Sequence, residues 1–129
     1  MGVTAKKFGN LTSGEEITLY HLENKSGAYA EVMDYGAILV KLCVPDKDGE
    51  LTDVVLGYDD VQQYEVNGCF FGAIIGRSGN RIENSRFFID DKEVVLAENE
   101  NHNNLHSGPD GFEKKLWEVC LLYTSPSPR

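Results

Sequence analysis

The chain has 129 residues, 41% of them apolar, and its 12 basic against 21 acidic side chains leave a net charge of −9. That length suits one domain or one piece of a larger one, with roughly two-thirds of the unfolded surface open to burial. The negative charge repels phosphate backbones and anionic headgroups, which argues against nucleic-acid and membrane-surface partners, and no apolar run approaches the ~20 residues of a spanning helix.

Strand-sized patterns dominate the chain in order. Residues 17–23 alternate, with Ile17, Leu19 and His21 on one face, and Asn24-Lys25-Ser26-Gly27 reads as a turn. Residues 28–35 form the next strand, with Tyr29, Glu31, Met33 and Tyr35 sharing a side. Residues 37–44 are mostly apolar and suit a buried strand. Pro45-Asp46-Lys47-Asp48-Gly49 supplies turn chemistry, after which residues 51–56 resume the strand pattern. Residues 59–66 are the one helical segment, capped by Asp59 or Asp60, with Val61 and Tyr64 three apart.

Residues 70–75 read as another buried strand, 86–89 and 92–97 as a hairpin around Asp90-Asp91, and 99–111 as a polar loop. A last strand is expected over 116–123, before Thr-Ser-Pro-Ser-Pro-Arg ends the sequence with two prolines that no ladder accommodates. Residues 1–119 are therefore assigned to part of a single β-sandwich domain and 120–129 to a non-native or disordered tail. With no long helices between the strands, an all-β antiparallel sandwich is favoured over α/β. Two lysines near the start precede no apolar stretch, so no export signal is visible and a cytoplasmic location is expected. The three cysteines lack C-x-x-C spacing, which suggests neither a disulfide framework nor a zinc knuckle. Each lies in an apolar run and is expected to pack, reduced, as a small hydrophobe.

Two segments carry residues unusual for a plain sandwich. In Gly76-Arg77-Ser78-Gly79-Asn80-Arg81-Ile82 the glycines allow close ligand approach, and Arg77 and Arg81 offer planar forks to hydroxyls or carboxylates. The plain alternative is surface pairing with acidic neighbours, which contributes little. The segment lacks the spacing of a dinucleotide fingerprint and the Gly-Lys-Ser/Thr of a phosphate loop. In Asn101-His102-Asn103-Asn104-Leu105-His106-Ser107-Gly108 two histidines stand four apart, a metal-ligand spacing on a helix, but the asparagines and glycine argue for a loop. A loop histidine hydrogen-bonds a substrate, shuttles a proton near neutral pH, or is simply a solvated surface group.

Taken together, these segments and Gly111-Phe112-Glu113-Lys114-Lys115-Leu116-Trp117, with Asp34-Tyr35-Gly36-Ala37 and Asp53-Val54-Val55-Leu56-Gly57-Tyr58 upstream, resemble the aldose 1-epimerase (galactose mutarotase) family from about residue 8 to residue 119. The resemblance implies a large antiparallel β-sandwich of the galactose-mutarotase type (a supersandwich), here represented by its N-terminal strands. It also implies an activity that interconverts the α and β anomers of free aldoses without cofactor or metal. It gives Asn80, Arg81 and His106 as sugar-contacting positions, with His106 near the ring oxygen, while Arg77, Phe112 and Trp117 support the site or the core. Ser107-Gly108 stands where the family usually has Gly-Gly, a change expected to leave His106 undisturbed. The family's general-acid histidine and general-base glutamate match no residue here, so the chain alone is expected to have little activity on its small-molecule aldohexose. A non-catalytic carbohydrate-binding β-sandwich and an inert structural fragment are the alternatives.

Overall fold

The computed structural model describes residues 2–120. They fall into two compact units, one running to Ala73 and resuming at Leu116, the other spanning Ile74–Lys115.

The first unit is built on an antiparallel meander of β1 (Gly2–Asn10), β2 (Glu16–Glu23), β3 (Tyr29–Met33), β4 (Leu39–Pro45) and β5 (Leu51–Asp53), neighbours in sequence being neighbours in the sheet. β2 alternates as its sequence predicts, burying Ile17 and Leu19 on one face. The turn after it is closed by a side chain: Asn24 Oδ1 accepts from the N–H groups of Ser26 (2.9 Å) and Ala28 (3.1 Å) and sets the bend into β3. On β3 the side carrying Glu31 and Met33 turns into the core. Glu31, only 6% exposed, is paired there with Lys6 Nζ at 3.2 Å and with His21 Nδ1 at 3.4 Å. The β3–β4 register shifts between Glu31 and Val32, which face Lys41 and Leu39, so Val40 is the extra residue and is buried.

Helix α1 (Val61–Val66) completes this unit. Its cap is Asp60, whose Oδ1 accepts from Gln63 N at 2.9 Å. Val61 and Tyr64 join Ile17, Leu19, Met33 and Ile38 in the core. The Glu65 carboxylate accepts from the N–H (3.0 Å) and hydroxyl (2.8 Å) of Thr12, holding the helix to the β1–β2 turn.

Several expectations are corrected. Residues 70–75 are not a strand. Phe70 and Gly72 have left-handed φ values of 55° and 63°, and the Asn67 side chain both donates to Phe71 O and accepts from Phe71 N (3.1 and 2.9 Å). That amide satisfies the backbone groups a neighbouring strand would otherwise engage, so the apolar run coils. The strand expected over 51–56 stops at Asp53, whose Oδ1 accepts from Leu42 N and Val55 N and turns the chain. The segment expected over 37–44 begins as a strand only at Leu39, because Ala37 has a φ of 48°. The last strand, expected from Leu116 onward, is reduced among the described residues to one bridge between Tyr35 and Leu116, with Trp117 N–H donating to Asp34 O at 2.8 Å. Residues 121–129, most of the assigned tail, lie outside the described residues. Trp117 is 39% exposed and lines an apolar groove with Tyr20, Leu22 and Met33, so it is not a packed core residue. Cys43 is buried as expected, whereas Cys69 and Cys120 are exposed.

The second unit has β6 (Arg81–Ile82), β7 (Arg86–Ile89), β8 (Lys92–Val95) and β9 (Asn104–Leu105). β7 and β8 form the hairpin read from the sequence, two residues shorter at its end, with Asp90 and Asp91 both at positive φ (46° and 63°) in the two-residue turn. β6 pairs antiparallel with β9, Arg81 opposite Leu105 and Ile82 opposite Asn104. The all-β antiparallel reading therefore holds in both units.

Candidate functional site

The short β6–β9 ladder brings the two unusual segments of the sequence together. Asn80 immediately precedes β6 and His106 immediately follows β9, so the ladder sets them side by side. Asn80 (φ 60°) and His106 (φ 52°) both take the left-handed conformation. His106 N–H then donates to Asn80 O, and Asn80 N–H donates to His106 Nδ1, each at 3.0 Å. A neutral imidazole whose Nδ1 accepts carries its proton on Nε2, so His106 presents Nε2–H as a donor.

Arg81 lies beside them. Its Nε and Nη2 groups donate to Glu100 Oε2 (3.0 Å) and Oε1 (2.7 Å), a side-on bidentate pair, and Nη1 reaches Asn80 Oδ1 at 3.4 Å. The Glu100 hydrogen bond and charge raise the Arg81 pKa, and the Arg81 guanidinium lowers that of Glu100. The plain surface-pairing alternative thus describes part of what Arg81 does, since one edge of its guanidinium is held by an acid.

Ser107, the departure from Gly-Gly, also has positive φ (75°). Its Oγ accepts from Ser78 N (2.8 Å) and donates to Ser78 O (3.0 Å), stitching the loop after His106 to the loop before Asn80. The change therefore ties down the neighbour of His106. Arg77 takes a different part from Arg81: its guanidinium stands 5.7 Å from the Phe112 ring centroid. Gly76 admits that ring, because a Cβ there would lie 2.4 Å from it. Arg77, Ser78, Ser107, Phe112 and Lys115 line an open cleft of about 470 Å³, and Asn80, Arg81 and His106 are not among its lining residues.

His102 and His106 are not brought together as the metal spacing on a helix would require. His102 is exposed and pairs through Nδ1 with Glu98 Oε2 at 2.9 Å. Among the described residues no group of three or more His, Cys, Asp or Glu side chains is arranged to hold a metal ion, and no helix is long and apolar enough to cross a membrane. Sequence reasoning missed Glu100 as a partner of Arg81. It stands five residues before Leu105, the ladder partner of Arg81, and only the closed turn over 99–103 returns it to the ladder.

The arrangement offers a fixed imidazole donor beside a guanidinium edge, chemistry suited to a hydroxyl-rich neutral ligand. The family model described as aldose 1-epimerase matches residues 18–121. The chain is 38% identical over 106 residues to the aldose 1-epimerase of Escherichia coli K12, covering 82% of this chain and 31% of that protein. It is 38% identical over 121 residues to the galactose mutarotase of Homo sapiens, covering 93% of this chain and 35% of that one. The matched part of the chain thus spans about a third of the length of these relatives. The crystal structure of the GalM/aldose epimerase homologue of C. elegans superposes with a TM-score of 0.77 at 36% identity, over 81% of this chain and 32% of that chain. That of galactose 1-epimerase from Lactobacillus acidophilus gives 0.73 at 23% identity, over 94% and 35%, a likeness of fold. On the family match over residues 18–121, most of its length, the chain belongs to the aldose 1-epimerase family.

Proposed function

We propose that the chain carries the sugar-holding part of an aldose 1-epimerase, which interconverts the α and β anomers of free aldohexoses such as galactose and glucose in hexose metabolism. The reaction needs two proton transfers. A base removes the C1 hydroxyl proton while an acid protonates the ring oxygen, the ring opens to the aldehyde, the C1–C2 bond rotates and the ring recloses. Product and substrate are isomers, so no electrons are exchanged with a partner. In this reading Arg81 donates to sugar hydroxyls and Asn80 orients both neighbours. His106 donates Nε2–H near the ring oxygen, stabilising charge as the ring opens. The observation that carries it is the 3.0 Å bond from Asn80 N–H to His106 Nδ1, which supports a fixed Nε2 donor beside Arg81.

No acid or base is assigned within these residues. Glu98 is engaged by His102, Glu100 by Arg81, and Glu113 is buried. We therefore propose that the 129 residues alone hold the sugar and interconvert anomers little.

The test is galactose titration followed by amide NMR, comparing the chain with Arg81→Ala and His106→Ala. Saturable shifts are expected around residues 80, 81 and 106, with affinity falling about tenfold in each variant as a charged or fixed donor is lost. Absence of saturable shifts in the unsubstituted chain would overturn the sugar-holding role. Polarimetric anomer interconversion well above the His106→Ala control would overturn the expected inactivity. Binding without interconversion by a chain of family length would favour a non-catalytic carbohydrate-binding sandwich.

A further inference from the structure

A guanidinium has five N–H groups, and their allocation decides which edge of Arg81 meets a ligand. Glu100 takes Nε–H and one Nη2–H side-on, and Asn80 Oδ1 takes one from Nη1. One N–H on Nη1 and one on Nη2 are left outside the edge held by Glu100, two donors for acceptors such as vicinal hydroxyls. The Glu100 carboxylate also cancels the guanidinium charge.

Glu100 is itself fixed to the strand that leads into His106. The N–H groups of Asn99 and Glu100 both donate to Asn103 O at 3.1 Å, and Asn103 N–H returns a bond to Glu100 O at 2.7 Å. The Asn99 side chain then clamps both backbone groups of Leu105, accepting from its N–H (2.7 Å) and donating to its carbonyl (2.9 Å). Leu105 is the ladder partner of Arg81 and the residue before His106. The carboxylate, the guanidinium and the imidazole are thereby held in one hydrogen-bonded frame.

We infer that Glu100 is the positioning residue for Arg81: it grips the side-on edge of the guanidinium, leaves one N–H on each Nη for the ligand, and selects neutral vicinal hydroxyls over anionic sugars. The selectivity part rests on the sugar-holding function proposed above, whereas the positioning part does not. Two readouts on the 129-residue chain separate them. The first is the exchange rate with water of the Arg81 side-chain Nε–H, measured by NMR in the chain and in Glu100→Gln, with the backbone spectrum reporting that the variant is folded. Slow exchange in the chain and several-fold faster exchange in the variant are expected; equal rates overturn the proposal. The second is titration with galactose and with galacturonate. Glu100→Gln is expected to weaken galactose about fivefold, in keeping with the loss of one charge-assisted bond's orienting effect, and to strengthen galacturonate relative to it. An unchanged preference between the two sugars overturns the selectivity. If the unsubstituted chain binds neither sugar, the functional reading fails and with it the selectivity, while the Nε–H exchange still decides the positioning.

Discussion

Three residues of the candidate site sit where side chains cost energy. Asn80, His106 and Ser107 all adopt left-handed φ, a conformation that costs a non-glycine residue roughly 1 kcal/mol. Each is compensated by a bond it makes possible: Asn80 N–H on His106 Nδ1, His106 N–H on Asn80 O, and the Ser107 hydroxyl on both backbone groups of Ser78. The same local chemistry sets a pH dependence at Glu100. Hydrogen bonding and charge from Arg81 hold its carboxyl below the ordinary glutamate value. A group whose folded pKa is depressed contributes stability above its unfolded pKa and loses it as pH falls through the folded value. The Arg81–Glu100 link is therefore intact at neutral pH and at the ordinary glutamate pKa of about 4.3, and it opens only below that. In an NMR titration of carboxyl carbons, Glu100 is expected to protonate below the ordinary glutamate value. Protonation at or above that value would show that the pair does not form in solution. Because both partners face solvent, added salt should narrow the gap.

Among the elements, the segment after α1 depends most on a single residue. Gly72 has a φ of 63°, its carbonyl accepts from Leu39 N–H at 3.0 Å, and a Cβ there would lie 2.1 Å from Leu39 O. Gly72→Ala is expected to cost more than about 1 kcal/mol from the backbone conformation alone, with the clash adding to it. Gly68→Ala is the control, since nothing lies within 4 Å of its Cβ position and its φ is ordinary; it should be neutral or slightly stabilising. Equal urea midpoints for the two variants would contradict the coiled path of 70–75. That coil also marks where sequence periodicity stops being informative. β2, the Asp60 cap of α1 and the Asp90-Asp91 hairpin are written in local chemistry and were legible. The apolar run 70–75 has strand composition, but its backbone partners are supplied by the Asn67 side chain. β1 gave no pattern because it lies at the sheet's edge, with Lys6 and Lys7 carrying ion pairs to Glu31 and Glu16 in place of an alternating apolar face. In the candidate site, the resemblance singled out Asn80, Arg81 and His106, which the β6–β9 ladder brings side by side. Glu100 was not legible, since its place depends on a turn closed by backbone bonds between Glu100 and Asn103.

For the whole molecule, charge and surface composition pull against each other. Large apolar side chains stand at the surface, among them Val66 (80% exposed) at the end of α1 and Phe88 (66%) on the β7–β8 hairpin. Such groups favour association when copies meet. At pH 7 the net charge of −9 opposes that meeting by repulsion between like-charged copies. Repulsion falls as carboxylates protonate and vanishes near the sequence pI of 4.7, whereas the apolar contribution does not depend on pH. Light scattering is therefore expected to rise steeply as the pH is lowered from 7 toward that value, and to rise earlier in high salt, where the repulsion is screened. Phe88→Lys removes one apolar contact and adds a positive charge, which by itself brings the isoelectric point closer to neutrality. If charge alone governed association, this variant would scatter at a higher pH than the unsubstituted chain. If the hairpin's apolar face drives it, the variant scatters less at its own isoelectric point despite the shift, which is the outcome expected here.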